Sequence, residues 1–151
     1  MNYSIIGKDK ADALRKQYTD RYADKTLRYR GYLWEVIRGL TIIDRKTALE
    51  LLESKDKVFV MWDNRTMQNV AQRIAYPFPA DMMFSMQAKD LSDQLKIDFN
   101  NPREKPALPT ELYIFDQSMK WTIIFTHESD QHTFYNETVP RWDILCMTNL
   151  L

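Results

Sequence analysis

The two histidines of the chain, His127 and His132, stand close together with Glu128 and Asp130 between them. Imidazole and carboxylate donors at short spacing are the raw material of a divalent metal site. Strand geometry argues against that use. Consecutive residues of a strand point to opposite faces, so His127 and Glu128 on one strand would not reach the same ion. A histidine hydrogen-bonded locally at a sheet end is the preferred reading; no metal is expected, and His127 and His132 are the only weak candidates for ligands. A second pair is Asp63 and Asp116, each of which follows a short apolar run. If those runs were parallel neighbouring strands, the two carboxylates would meet and could share a proton or an ion. Aspartate is also a common turn and capping residue, because its side chain bonds nearby backbone N–H groups, and that reading is preferred for both. Together, Asp63, Asp116, His127 and Glu128 form the candidate catalytic set of a metal-dependent or acid/base hydrolase. No other catalytic signature accompanies them. The three glycines all precede residue 40, so no glycine-rich phosphate loop can be written, and no Gly-x-Ser-x-Gly elbow exists. No cofactor is called for.

Arginine, lysine and tyrosine interleave from Arg15 to Arg30. Such a pattern can bind single-stranded nucleic acid by stacking and phosphate contact. On a helical wheel, however, Tyr18 and Tyr22 share a stripe with Ala11 and Leu14, which turns them inward, and acids between residues 9 and 35 dilute the field. A protein partner is therefore expected in preference to nucleic acid. Arg28, Tyr29, Arg30, Tyr32 and Trp34 are the candidate contact residues. The same aromatic stripe would also suit a homodimer seam. Met82, Met83 and Met86 would make an adaptable interface if exposed, and gap-filling core if buried; burial is expected.

The elements that must position these residues follow from periodicity. Ala11, Leu14, Tyr18, Tyr22, Tyr29 and Leu33 mark one face of a helix over residues 9–30, with Gly31 ending or bending it. Asp44 reads as the N-cap of a short helix carrying Ala48, Leu51 and Leu52. Val58 to Trp62 is an interior strand by its continuous apolar, β-forming character. Met67, Val70, Ala71 and Ile74 suit a helix over 65–75. Alternation over residues 82–86 suggests a strand, and residues 88–96 a short helix with Leu91 and Leu95. Residues 112–115 and 121–126 form a hairpin, with Trp121, Ile123 and Phe125 on the face that should meet the helices. Residues 129–140 read as a loop, and Trp142, Ile144 and Cys146 as one side of a last strand. The sum is a single α+β domain over residues 1–151, a mainly antiparallel sheet of four to five strands with helices packed on one face.

The bulk composition agrees with this picture. The 151 residues are 44% hydrophobic and 13% aromatic, which excludes a disordered chain, and no apolar run approaches the length of a membrane-spanning helix. With one cysteine and no apolar core of a secretory signal between Met1 and Lys8, the expected compartment is the cytoplasm. Twenty-one basic residues balance twenty-one acidic ones. The N-terminal part is the more basic and the C-terminal part the more acidic, a division that suits mutual attraction inside the fold better than a basic face for an acidic partner and an acidic face for a basic one.

Gly-Tyr-Leu-Trp at 31–34, Val-Phe-Val-Met-Trp at 58–62 and the late hairpin of Asp116, Trp121, Thr122, Thr126, His127 and Glu128 resemble a family of small, single-domain bacterial proteins of unknown function, known mainly from Gram-positive genomes. The resemblance covers about residues 31–128 and departs after Glu128, where this chain carries a longer stretch from Ser129 to Pro140. It implies a bacterial cytosolic origin and supplies no activity. Two functions are therefore expected from the residues: foremost a non-enzymatic protein-interaction module, with an immunity-type or toxin-neutralising partner as its concrete form, and second the hydrolase outlined above.

Overall fold

The computed structural model describes residues 2–63, 82–101, 107–109, 111–126 and 133–137. Its centre is one antiparallel sheet. In chain order the strands are β1 (Ser4–Ile5), β2 (Thr41–Ile43), β3 (Lys57–Met61), β4 (Phe84–Gln87), β5 (Leu112–Phe115), β6 (Trp121–Phe125) and β7 (Thr133–Glu137). Across the sheet they run β1-β4-β3-β5-β6-β7-β2. The three helices among the described residues are α1 (Lys8–Tyr22), α2 (Arg45–Glu53) and α3 (Ala88–Asn100), and a short 3-10 turn at Leu33–Val36 lies between α1 and β2.

The central strands are apolar on both sides, and both sides are covered. Val58, Val60, Phe84, Ile114, Trp121, Ile123 and Phe125 pack with Ala48, Leu49 and Leu52 of α2 and Leu91 and Leu95 of α3. This is the face expected to meet the helices. Phe59, Met61, Met83, Tyr113, Phe115 and Ile124 point the other way and pack with Ala11, Leu14, Tyr18 and Tyr22 of α1. The α+β class and antiparallel sheet are as the sequence implies, and α1 adds a second helix layer to the expected one. The reason lies in β3 and β5, whose continuous apolar runs need cover on both faces. The extra strands are the short edge pieces β1 and β2, too brief to show periodicity, and β7. Residues 133–137 were expected in a loop. They instead pair with β6 from Trp121↔Glu137 to Phe125↔Thr133 and with β2 on the other side. Thr133, Phe134 and Tyr135 are strand-forming types, and the open edge of β6 supplies their partner.

The N-terminal helix is also shorter than its pattern. Its buried stripe is Ala11, Leu14, Tyr18 and Tyr22, as expected, but it stops at Tyr22. Ala23 is extended and forms a bridge with Ile37. Asp24 then takes Thr26 N–H at 2.9 Å on its own carboxylate, a local bond that competes with helix continuation. The Asp44 cap of α2 is present, with Thr47 N–H donating to Asp44 Oδ1 at 2.7 Å. Of the strand expected over residues 82–86, only the part from Phe84 lies in β4 (Phe84–Gln87), and Met82, Met83 and Met86 are buried. The expected helix over 65–75 and the last strand around Trp142 lie outside the described residues.

Candidate functional site

Asp63 follows β3 at one end of the sheet and is only 7% exposed. Its Oδ1 accepts Leu33 N–H at 3.1 Å, and its Oδ2 accepts the Tyr113 hydroxyl at 2.5 Å. The β3/β5 register pairs Met61 with Tyr113. Carried two residues further, it sets Asp63 opposite Glu111, a second carboxylate that is 1% exposed. Arg15 reaches the same end from α1, donating to Trp62 O at 3.2 Å and Met82 O at 3.0 Å. Burial pushes the Asp63 carboxyl up to about 6, with the negative charge of Glu111 adding to it; the Tyr113 and Leu33 hydrogen bonds and the Arg15 charge work in the other direction. Burial likewise holds the Tyr113 hydroxyl well above the ordinary tyrosine value, and the Asp63 charge reinforces that shift.

Asp116 is not part of this cluster. β3 and β5 are antiparallel, so a residue just after β3 and a residue just after β5 lie at opposite ends of the pair. Asp116 opens the β5–β6 turn: Oδ1 accepts Ser118 N–H at 2.9 Å and Oδ2 accepts Trp121 Nε1–H at 2.7 Å. Met119 completes the turn with a φ of 56°. The alternative in which Asp63 and Asp116 meet needed parallel strands and does not form; Asp116 is the turn residue that its sequence context favoured. His127, Glu128 and His132 lie outside the described residues. Among the described residues, no group of three or more His, Cys, Asp or Glu side chains is placed to hold a metal ion. The polar partners that sequence reasoning missed are Glu111, Tyr113 and Arg15. The usable signal was an acid immediately before an apolar strand, Glu111, facing an acid immediately after another, Asp63, once the two strands are taken as antiparallel.

The candidate contact residues lie together on the strap from Asp24 to Val36. Arg28, Tyr29 and Arg30 are exposed, with Tyr29 at 56%. Tyr32 and Trp34 are half-buried and stack on each other with ring centres 6.2 Å apart. The strap is irregular but tied down. Asp24 N–H donates to Val36 O at 2.7 Å and closes its base. Leu33 N–H is held by Asp63, and Trp34 N–H donates to the Tyr113 hydroxyl at 2.9 Å. Gly31 bends the strap at a φ of 115°, a conformation that L side chains rarely adopt. Between the strap, α1 and the end of β3 lies a cavity of about 430 Å³. Leu27, Leu33, Val36, Met61 and Trp62 give it apolar walls, Arg15, Asp24, Lys25 and Asp63 bring charge to it, and Tyr29 lines it from the strap.

Compared with models of known protein families, with curated proteins and with solved structures, the chain matches none. Among the described residues, no helix is long and apolar enough to cross a membrane.

Proposed function

We propose that this chain is a bacterial, cytosolic protein-interaction module whose recognition element is the strap from Asp24 to Val36. The observation that carries this reading is the combination of exposure and anchorage on that strap. A compact loop with its ends close together, fixed to a rigid sheet, is a frequent carrier of function. Arg28, Tyr29 and Arg30 are presented outward while Leu33 and Trp34 are pinned by Asp63 and Tyr113. Pre-organisation of this kind lowers the ordering cost of binding, and Tyr and Arg are the residue types most often dominant in interfaces. The basic residues at the strap's tip favour an acidic partner surface, and an immunity-type or toxin-neutralising role, acting by occlusion, is the concrete form. The lone cysteine and the resemblance to small cytosolic bacterial proteins support the compartment. Affinity capture of the tagged chain from its own producing cells tests the reading. One stoichiometric partner, lost on Tyr29→Ala with Arg30→Glu, is the expected result. A clean bait, or a partner retained by that double variant, overturns it, and the mass of the free chain in solution separates a homodimer from a foreign partner.

The hydrolase reading retains one specific support, the raised Asp63 carboxyl on a cavity wall. Both Asp63 oxygens already hold structural hydrogen bonds, which makes it a better anchor for the strap than a free base. A hydrolytic activity that rises through about pH 6 and disappears in Asp63→Asn would reverse the preference.

A further inference from the structure

We propose that the cavity beneath the strap is a binding site for an uncharged small molecule, an apolar ring or chain carrying one hydroxyl that donates to Asp63. The site adjoins the recognition strap and shares Tyr29 with it. The Tyr29 ring lines the cavity and is also 56% exposed, and its hydroxyl donates to Gly31 O at 3.1 Å within the strap.

Size and wall chemistry give the body of the ligand. At about 430 Å³ the space falls within the range of small-molecule pockets, roughly 300–1,000 Å³. Leu27, Leu33, Val36, Met61 and Trp62 offer contact to a hydrocarbon or an aromatic ring. The charged lining decides against an ionic head. Among the described residues, Arg15 and Lys25 balance Asp24 and Asp63, and each of the four is engaged within the protein. Arg15 donates to Trp62 O and Met82 O, and Lys25 pairs with Asp20. Asp24 pairs with Arg38, and Asp63 accepts from Leu33 N–H and the Tyr113 hydroxyl. An ammonium or a carboxylate entering the cavity would give up its water without an excess of opposite charge to replace it. An ammonium drawn to Asp63 would also face Arg15, whose charge already acts on that carboxylate. A hydroxyl meets neither cost. A carboxylate has about four acceptor positions, and Asp63 spends one on each oxygen, so it keeps capacity for an O–H arriving from the cavity. A hydrogen bond to an ionised acceptor is about twice as strong as one between neutral groups, and Asp63 is 7% exposed, so little water competes for it.

The test is a titration of the full chain followed by amide NMR at about pH 7.5, where the amine probe is protonated and the acid probe ionised. The probes are 2-phenylethanol, its methyl ether, 2-phenylethylamine and 3-phenylpropionate. The expected result is saturable shifts at Leu33, Val36 and Asp63 with the alcohol, at an affinity about tenfold above that of the ether, which lacks the donor, and of both ions. Leu27→Lys should lower the alcohol affinity by about tenfold or more, because it sets a charge in the apolar wall. Leu27 is half-buried and its structural bond, N–H to Asp24 O, is made by the backbone, so this variant keeps the fold. Equal or tighter binding of the ether or of either ion, no saturable shift with the alcohol, or an affinity unchanged by Leu27→Lys overturns the proposal. Tyr29→Ala cannot separate the cavity from partner capture, since that ring serves both; Arg30→Glu can, because Arg30 does not line the cavity. Arg30→Glu should weaken capture and leave the alcohol affinity unchanged. A loss of alcohol binding as large as that in Leu27→Lys would place the probe on the outer face and overturn the cavity site. The titration uses the free chain, so its failure leaves the partner reading standing, and a failed capture leaves the cavity site standing.

Discussion

The Tyr113 hydroxyl donates to Asp63 Oδ2 at 2.5 Å and in turn accepts the backbone N–H of Trp34 at 2.9 Å, so one phenol ties two neighbouring strands to the strap. Tyr113 is 1% exposed, and water is not at hand to replace either bond. Tyr113→Phe keeps the ring and removes both. The expected loss of stability is about 1–3 kcal/mol, because the variant leaves a buried carboxylate oxygen and a backbone donor short of a partner. Urea unfolding measures the loss, and hydrogen exchange should show the amides of Leu33 and Trp34 opening at lower free energy while those of β6 hardly change.

Asp63 also sets a pH dependence with an unusual sign for a carboxylate. Its folded value is raised to about 6 from 3.8, so between those values the folded state binds more protons than the unfolded one. Stability from this group is therefore present at low pH and is lost as pH rises through about 6, by up to about 3 kcal/mol. The surface carboxylates Asp20, Asp24 and Glu53 are lowered by their hydrogen bonds, chiefly to Lys16, Thr26 and Lys96 respectively, and they act in the opposite direction below their ordinary range. Urea midpoints should consequently peak near about pH 4, decline as the pH rises to about 6 and level off above it. Asp63→Asn should flatten that decline; a decline unchanged by the substitution would show that another group causes it.

Much of this arrangement is readable from residue types, and the unreadable part has a physical cause in each case. The Asp44 cap, the interior strand at Val58 to Met61 and the β5–β6 hairpin are local signals, and each appears where expected. The end of α1 is not local: Tyr29 continues the helical stripe in sequence, but the Ala23–Ile37 bridge and the Asp24 turn compete for the backbone and win. The site follows the same division. Asp63 and the aromatic–basic run from Arg28 to Trp34 stand out by type. Their connection through Leu33 and Tyr113 depends on a strand order, β3 beside β5, that skips β4 in sequence and leaves no mark in the spacing. Glu111 stayed hidden for the same reason.

Tyr18 and Thr122 provide a further check on the α1 layer. Their hydroxyls bond at 2.8 Å, and Thr122 Oγ1 lies 3.0 Å from the Ile114 carbonyl that accepts its proton. Tyr18 therefore donates to Thr122. Both residues are fully buried. Thr122→Val preserves shape and strands the Tyr18 hydroxyl, with an expected cost of about 1–3 kcal/mol in thermal or chemical unfolding. Tyr18→Phe combined with Thr122→Val should recover part of that loss, since removing both partners costs less than orphaning one. A double variant no more stable than Thr122→Val alone would place the cost in packing.

Asp116 supplies the decisive contrast with Asp63. It holds the turn by accepting from Ser118 N–H and Trp121 Nε1–H, and it lies at the far end of the β3–β5 pair from the cavity. Asp116→Ala should lower stability by about 1–2 kcal/mol through loss of the turn bonds. It should leave the strap amides, the fall in stability toward pH 6 and any partner captured through Tyr29 unaltered. Tyr29→Ala should do the reverse, changing stability by less than about 0.5 kcal/mol because the ring is exposed, while abolishing capture. Loss of capture in Asp116→Ala at a temperature where that variant remains folded would join the two ends of the sheet in one function and return Asp116 to the candidate site.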